Sequence, residues 1–143
     1  MIRVEHLSKR FDKLTVLDDI STSFRKHEVV SVIGPSGGGK STFLRCLNLM
    51  EVPTSGSIYV DGVDICDKHI DINRHREKMG MVFQQFNLFN NMNVIKNLTA
   101  APVKLKKMTP AEAEERGMSL LRRVGLEDKR SSFPYELSGG QKQ

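Results

Sequence analysis

At 143 residues, with 38% apolar and 6% aromatic side chains, the chain can bury the core of one ordinary domain, and nothing in its composition calls for a second fold. Its 22 basic and 17 acidic residues leave a net charge of +5, clustered locally at Lys104, Lys106 and Lys107 and at Arg74, His75 and Arg76; solvated faces account for such a balance, which would also serve nucleic acid or an anionic membrane. No apolar stretch approaches a membrane span, and the start Met-Ile-Arg-Val-Glu-His places charges where a signal peptide needs an apolar centre.

In chain order, Ile2, Val4 and His6 alternate with polar neighbours, and Asp12-Lys13 is a turn into a second extended segment, Leu14 to Phe24. Glu28-Val-Val-Ser-Val-Ile33 is short, apolar and β-branched, which predicts a buried strand of a parallel sheet. After a glycine-rich loop, Phe43, Leu44, Leu47 and Met50 recur at helical spacing. Ser57 to Val60, closed by Asp61-Gly62, joins the first two segments in an antiparallel β-layer, and Met79 to Phe83 predicts another short buried strand. Beyond Gln84, residues 93–103 and 109–124 read as helices. Thr109, Pro110 and Glu112 form a capping box with proline at the first helical position; Leu120, Leu121 and Val124 supply an apolar stripe, and Gly125 can end the helix. Cys46, inside the first helix, and Cys66 lack metal spacing and read as reduced packing residues, as in the cytosol. Asn97-Leu98-Thr99 fits a glycosylation acceptor by pattern alone.

The loop itself reads Gly34-Pro35-Ser36-Gly37-Gly38-Gly39-Lys40-Ser41-Thr42, in the frame Gly-x-x-x-x-Gly-Lys-Ser/Thr of a nucleoside triphosphate phosphate loop. Glycines let consecutive backbone N–H groups approach a β-phosphate without a Cβ in the way. Lys40 is placed to bridge the β- and γ-phosphates, Ser41 to put its hydroxyl on Mg²⁺, and the following helix to add its positive dipole end.

Leu137-Ser138-Gly139-Gly140-Gln141 is a second Ser/Gly loop. Alone it is an ordinary turn; paired with the phosphate loop, it resembles the signature motif of ATP-binding cassette ATPases. The segments Gly80-Met-Val-Phe-Gln-Gln-Phe-Asn-Leu-Phe89, Asn97-Leu-Thr-Ala-Ala-Pro102 and Val124-Gly-Leu126 look like the ATPase subunits of importers for polar amino acids, of the glutamine and histidine type. Gly38 stands where that family usually has serine, and Asn90-Asn91-Met92 replaces a more familiar Pro-His-Met or Ser-His-Met. The resemblance implies an α/β fold of the P-loop class: an antiparallel β-layer and a nucleotide-binding core with a partial parallel sheet over residues 1–85, then a Q-loop and helical subdomain over 86–143. It implies ATP and Mg²⁺ as ligands. Ser138, Gly139, Gly140 and Gln141 become a second anion cradle facing the phosphate loop of a partner ATPase subunit, head to tail. Gln84 becomes the Q-loop residue that touches Mg²⁺ and the attacking water, with Gln85 beside it as a weaker candidate. Phe11 takes the place of the aromatic that stacks on adenine, a role it shares at this point with that of an ordinary core aromatic. The implied partners are a membrane permease, touched through residues 84–103, and indirectly a solute-binding protein; no nucleic acid is expected. The implied location is the cytoplasmic side of the plasma membrane.

The family's later elements, an apolar strand ending in Asp-Glu and a switch histidine, are expected to lie outside these 143 residues. Ile58-Tyr-Val-Asp61, Leu126-Glu-Asp128 and Asp18-Asp19 carry acids, but each stands in the wrong place for that pair. The expectation is therefore nucleotide binding with poor hydrolysis by this stretch alone, and marginal stability with apolar faces left open. Two other readings remain: a non-hydrolysing nucleotide-binding remnant, and a cassette ATPase of DNA repair or translation. The interval from Lys40 to Leu137 has room for a short helical subdomain but none for a coiled-coil or zinc insert.

Overall fold

A computed structural model describes every residue of the chain except Gln84, in two units, Met1–Met81 and Val82–Gln143. The first is built on a four-stranded antiparallel sheet of order β2-β1-β3-β4, comprising β1 (Ile2–Phe11), β2 (Leu14–Phe24), β3 (Ser55–Val60) and β4 (Val63–Asp64). The Asp12-Lys13 turn and the span of β2 follow the sequence reading. At the β3–β4 hairpin, Asp61 and Gly62 both take positive φ, 49° and 86°, as a two-residue turn between twisted strands requires.

The sheet buries one face. Val4 pairs with Ile58 and Ile2 with Val60, and Val4, Leu7, Leu17, Ile58 and Val60 form the core with Ile65. Strict alternation from Ile2 through Val4 would place His6 inward, but His6 is exposed and Leu7 is fully buried. The β1–β2 register shifts between Val4 and Leu7, where His6 and Asp19 both adopt left-handed φ (52° and 47°). This bulge resets the side-chain phase by one residue. The His6 N–H donates to Ser21 Oγ, and its Nδ1 lies 2.7 Å from Asp19 Oδ1.

Helix α1 (Lys40–Leu47) lays Phe43 and Cys46 on this core, with Phe43 tilted against Phe24 at 6.3 Å between ring centroids. Leu44 and Met50, expected in the same apolar stripe, are exposed; the helix stops at Leu47, before Met50. The end of α1 is tied down by α2 (Ile72–Arg76), a helix the sequence reading missed. Arg76 donates to the carbonyls of Asn48 (3.1 Å) and Leu49 (2.8 Å), satisfying acceptors beyond the last turn.

Burial pushes the Cys46 thiol up to about 11 from 9.0. The folded state holds that proton more tightly than the unfolded chain because burial penalises the thiolate, so stability is unaffected by this group below pH 9 and falls as pH rises from 9 towards 11. Alkylation of folded Cys46 by iodoacetamide is accordingly expected to be slow at pH 8 and to accelerate towards pH 11. Rapid labelling at pH 8 under native conditions would contradict this.

Two expected strands are absent. Among the described residues, neither 28–33 nor 79–83 has a hydrogen-bonded neighbour strand, and the sheet holds no parallel pair. The partial parallel core sheet is thus corrected: β-branched composition suits a strand, but only pairing makes one. Val29 is 96% and Ile33 92% exposed, in keeping with the expectation of open apolar faces.

In the second unit, α3 (Val94–Lys104) and α4 (Pro110–Arg123) form where the sequence places them. Asn93 caps α3 by accepting from the Lys96 N–H, and the Thr109–Glu112 capping box of α4 is complete. Those bonds from Thr109 hold the Glu112 carboxyl below its ordinary range. The helices meet at Gly117, where a Cβ would fall 2.7 Å from Ile95 Cδ1. A short helix, α5 (Gly139–Lys142), closes the described chain.

Candidate functional site: a phosphate cradle at the start of helix α1

The loop 34–42 runs from the unpaired segment ending at Ile33 into α1. Gly39 adopts φ 82°, and a Cβ there would lie 2.8 Å from the Val16 carbonyl oxygen and 2.9 Å from Leu17 Cδ2. Only glycine lets the loop lie flush against β2 in this conformation. Gly37 also has positive φ, 76°. The Gly38 N–H donates to the Pro35 carbonyl at 3.1 Å, and a Cβ on Gly38 would stand 3.1 Å from that same oxygen. Glycine in place of the family's serine therefore relieves a tight contact besides adding backbone freedom.

Helix α1 begins with no side-chain cap. The N–H groups of its first turn have no intrahelical acceptors and carry the positive end of the helix dipole. Ser41 is exposed and Thr42 half-buried in that turn. The Lys40 ammonium bends back over the loop, donating to the carbonyls of Gly34 (2.8 Å) and Pro35 (2.6 Å). A phosphate entering the loop would offer it charged oxygens in place of these neutral ones, and charge-assisted bonds are the stronger. An open apolar groove of about 390 Å³ adjoins the loop, lined by Phe24, Val30, Val32, Gly39, Lys40 and Phe43 among others, with no carboxylate in its lining.

Phe11 lies at the end of β1, opposite Leu14. It is 42% exposed, so it is no core aromatic, and the Lys9 ammonium sits 4.6 Å from its ring centroid. β2 connects the two features: it starts beside Phe11 and touches Gly39 at Val16. At the rise of a strand, ring and loop are on the order of 10 Å apart.

The signature residues belong to the second unit. Leu137 is buried and Ser138 is the N-cap of α5; Ser138 Oγ accepts from the Gln141 N–H and Gln141 Oε1 from the Ser138 N–H, with Gly139 and Gly140 between them in the first turn. Gln84 lies outside the described residues. Three of the acids considered in the sequence, Asp19, Asp61 and Asp128, are engaged locally. Asp19 faces His6, the Met1 ammonium lies 2.7 Å from Asp61, and Lys129 lies 2.7 Å from Asp128; the last two carboxyls are held below their ordinary range by those bonds. Among the described residues no cluster of three His, Cys, Asp or Glu side chains could hold a metal. No described helix is long and apolar enough to cross a membrane.

Known proteins resemble this chain over essentially its whole length. The arginine transport ATP-binding protein ArtM of Bacillus subtilis is 52% identical over all 143 residues, and the glutamine transport ATP-binding protein GlnQ of Geobacillus stearothermophilus is 48% identical. The glutamate/aspartate import ATP-binding protein GltL of Escherichia coli is 46% identical. The chain covers 60%, 59% and 59% of these proteins in turn, and so spans about three fifths of the curated relatives it matches. Among solved structures, the ATP-binding cassette MJ0796, in a dimeric post-hydrolysis state bound to ADP and Pi, superposes with a TM-score of 0.85 at 28% identity, over 99% of this chain and 65% of that one. This establishes an ABC ATPase fold of the P-loop class, of which the chain is a part. The family described as ABC transporter matches residues 17–143, and the chain belongs to it.

Proposed function

We propose that the chain is the nucleotide-binding part of an ABC importer ATPase, coupling ATP binding and hydrolysis to the uptake of polar amino acids. The observation that carries this reading is the Lys40 ammonium held at the rim of a glycine loop on an uncapped helix start, 2.8 and 2.6 Å from two neutral carbonyls. In this role Gly34, Pro35, Ser36, Gly37, Gly38 and Gly39 wrap the phosphates with backbone N–H groups, and Lys40 bridges the β- and γ-oxygens. Thr42 N–H extends the cradle along the first helical turn, and Phe11 stacks on the adenine, a contact that tolerates sequence and ligand variation because every base has a flat face.

Ser41 fits a magnesium ligand, being an exposed hydroxyl in the turn after Lys40. Bound Mg²⁺ would neutralise charge spread across the phosphate oxygens. Gln84 is proposed to join that shell and to orient water, and Ser138, Gly139, Gly140 and Gln141 to meet the nucleotide of a second ATPase subunit in a head-to-tail dimer. The relatives' transport roles favour an integral membrane permease as partner, with a solute-binding protein beyond it, and a peripheral position on the cytoplasmic face of the membrane. No described carboxylate stands in the groove beside Lys40, so slow phosphate release is expected from these residues alone.

Magnesium dependence tests the assignment. ATP affinity of the chain should rise when Mg²⁺ is added, and Ser41→Ala should remove most of that rise while leaving the metal-free affinity unchanged. An identical rise in the variant would refute the role of Ser41.

A further inference from the structure

Lys9 is charged, yet its side chain is only 12% exposed, and three groups hold it. The Glu51 carboxylate lies 2.6 Å away, the Val52 carbonyl accepts at 2.8 Å, and the Phe11 ring centroid is 4.6 Å distant. An ammonium this sheltered persists only when paired, and Glu51, itself 27% exposed at its side chain, supplies the countercharge. The Glu51 N–H donates to the Arg45 carbonyl in the last turn of α1, so the carboxylate that fixes Lys9 is anchored on the helix that opens at the phosphate loop. Lys9 and Phe11 stand two residues apart on β1, and the ammonium lies over the ring although the register against β2 shifts between Lys9 and Arg10. Phe11 as a residue is 42% exposed.

We propose that Lys9 is a positioning residue for a purine base, clamping one face of Phe11 so that the opposite face is presented to the base. The inference rests on the reading of Phe11 given under the proposed function. A phenyl ring at the end of a hairpin otherwise samples several rotamers, and each must be given up on binding; a cation fixed on one face removes that cost in advance. It also draws π density towards itself, leaving the far face less electron-rich and a better partner for an electron-rich purine.

The test is calorimetric titration of the full 143-residue chain with MgATP and with magnesium inorganic triphosphate, which lacks the base. Wild type, Lys9→Met, Lys9→Arg, Phe11→Ala and the Lys9→Met/Phe11→Ala double variant are compared. Lys9→Met should weaken ATP roughly three- to tenfold and leave inorganic triphosphate unchanged. Lys9→Arg should restore ATP affinity, and Lys9→Met should add nothing in the Phe11→Ala background. Equal losses on both ligands, or no loss on ATP, would overturn the proposal. If Phe11→Ala itself leaves ATP affinity intact, base stacking on Phe11 falls and the proposal falls with it; if wild type fails to bind inorganic triphosphate, the phosphate cradle falls instead. Should Lys9→Met give no cooperative melt, Glu51→Gln takes its place, with a smaller selective loss on ATP expected and an equal loss on both ligands overturning the inference.

Discussion

Gly56→Ala is expected to remove about 3–6 kcal/mol of stability from the first unit, combining backbone strain with overpacking. Gly56 sits in β3 at φ 93°, where a residue with a Cβ is strained in any surroundings. The added methyl would also collide with the His6 carbonyl oxygen and lie 2.6 Å from the Glu5 carbonyl oxygen. These are backbone atoms of β1, a strand flanked by β2 and β3, and they cannot swing away as a flexible side chain can. Against the roughly 5–15 kcal/mol typical of a domain, such a loss takes a large share of the total stability. Gly62→Ala is the control: its φ is 86°, but no atom lies within 4 Å of the added methyl, so only strain of about 1 kcal/mol is expected. Urea denaturation followed by far-ultraviolet circular dichroism separates the two, and a Gly56→Ala loss no greater than that of Gly62→Ala would contradict the packing described at the bulge.

Much of the architecture could be read where the signal is local. The Asp12-Lys13 and Asp61-Gly62 turns, the Thr109 cap and the glycine spacing of the loop each depend on a few adjacent residues whose backbone demands are specific. What could not be read depends on partners distant in sequence. Residues 28–33 have strand composition, yet strand formation is decided by a neighbour, and the described residues supply none. His6 fits an alternating pattern that a bulge, set jointly by β1 and β2, cancels. Helix α2 is five residues long and carries no buried side chain, so it has no apolar period to detect; its Arg76 contacts to the end of α1 are a tertiary feature. At the site, the positions of Gly39 and Lys40 were legible in the motif, whereas nothing in the sequence singled out Lys9. Its meaning comes from Glu51 and Val52, more than forty residues further along the chain.

The phosphate loop is the point on which the functional account depends. Lys40 places its ammonium where phosphate oxygens can replace the Gly34 and Pro35 carbonyls, and a hydrogen bond between charged groups contributes about 1.5–3 kcal/mol. Lys40→Ala should therefore weaken MgATP binding by roughly 10- to 150-fold. The fold should be little affected, because the lysine head bonds only to carbonyls at an exposed loop. Equilibrium titration of wild type and Lys40→Ala with MgATP, with thermal melts run in parallel, tests this most directly. The account predicts saturable binding by wild type, a loss of that size in the variant and matching melts; equal affinity in the two proteins would contradict it.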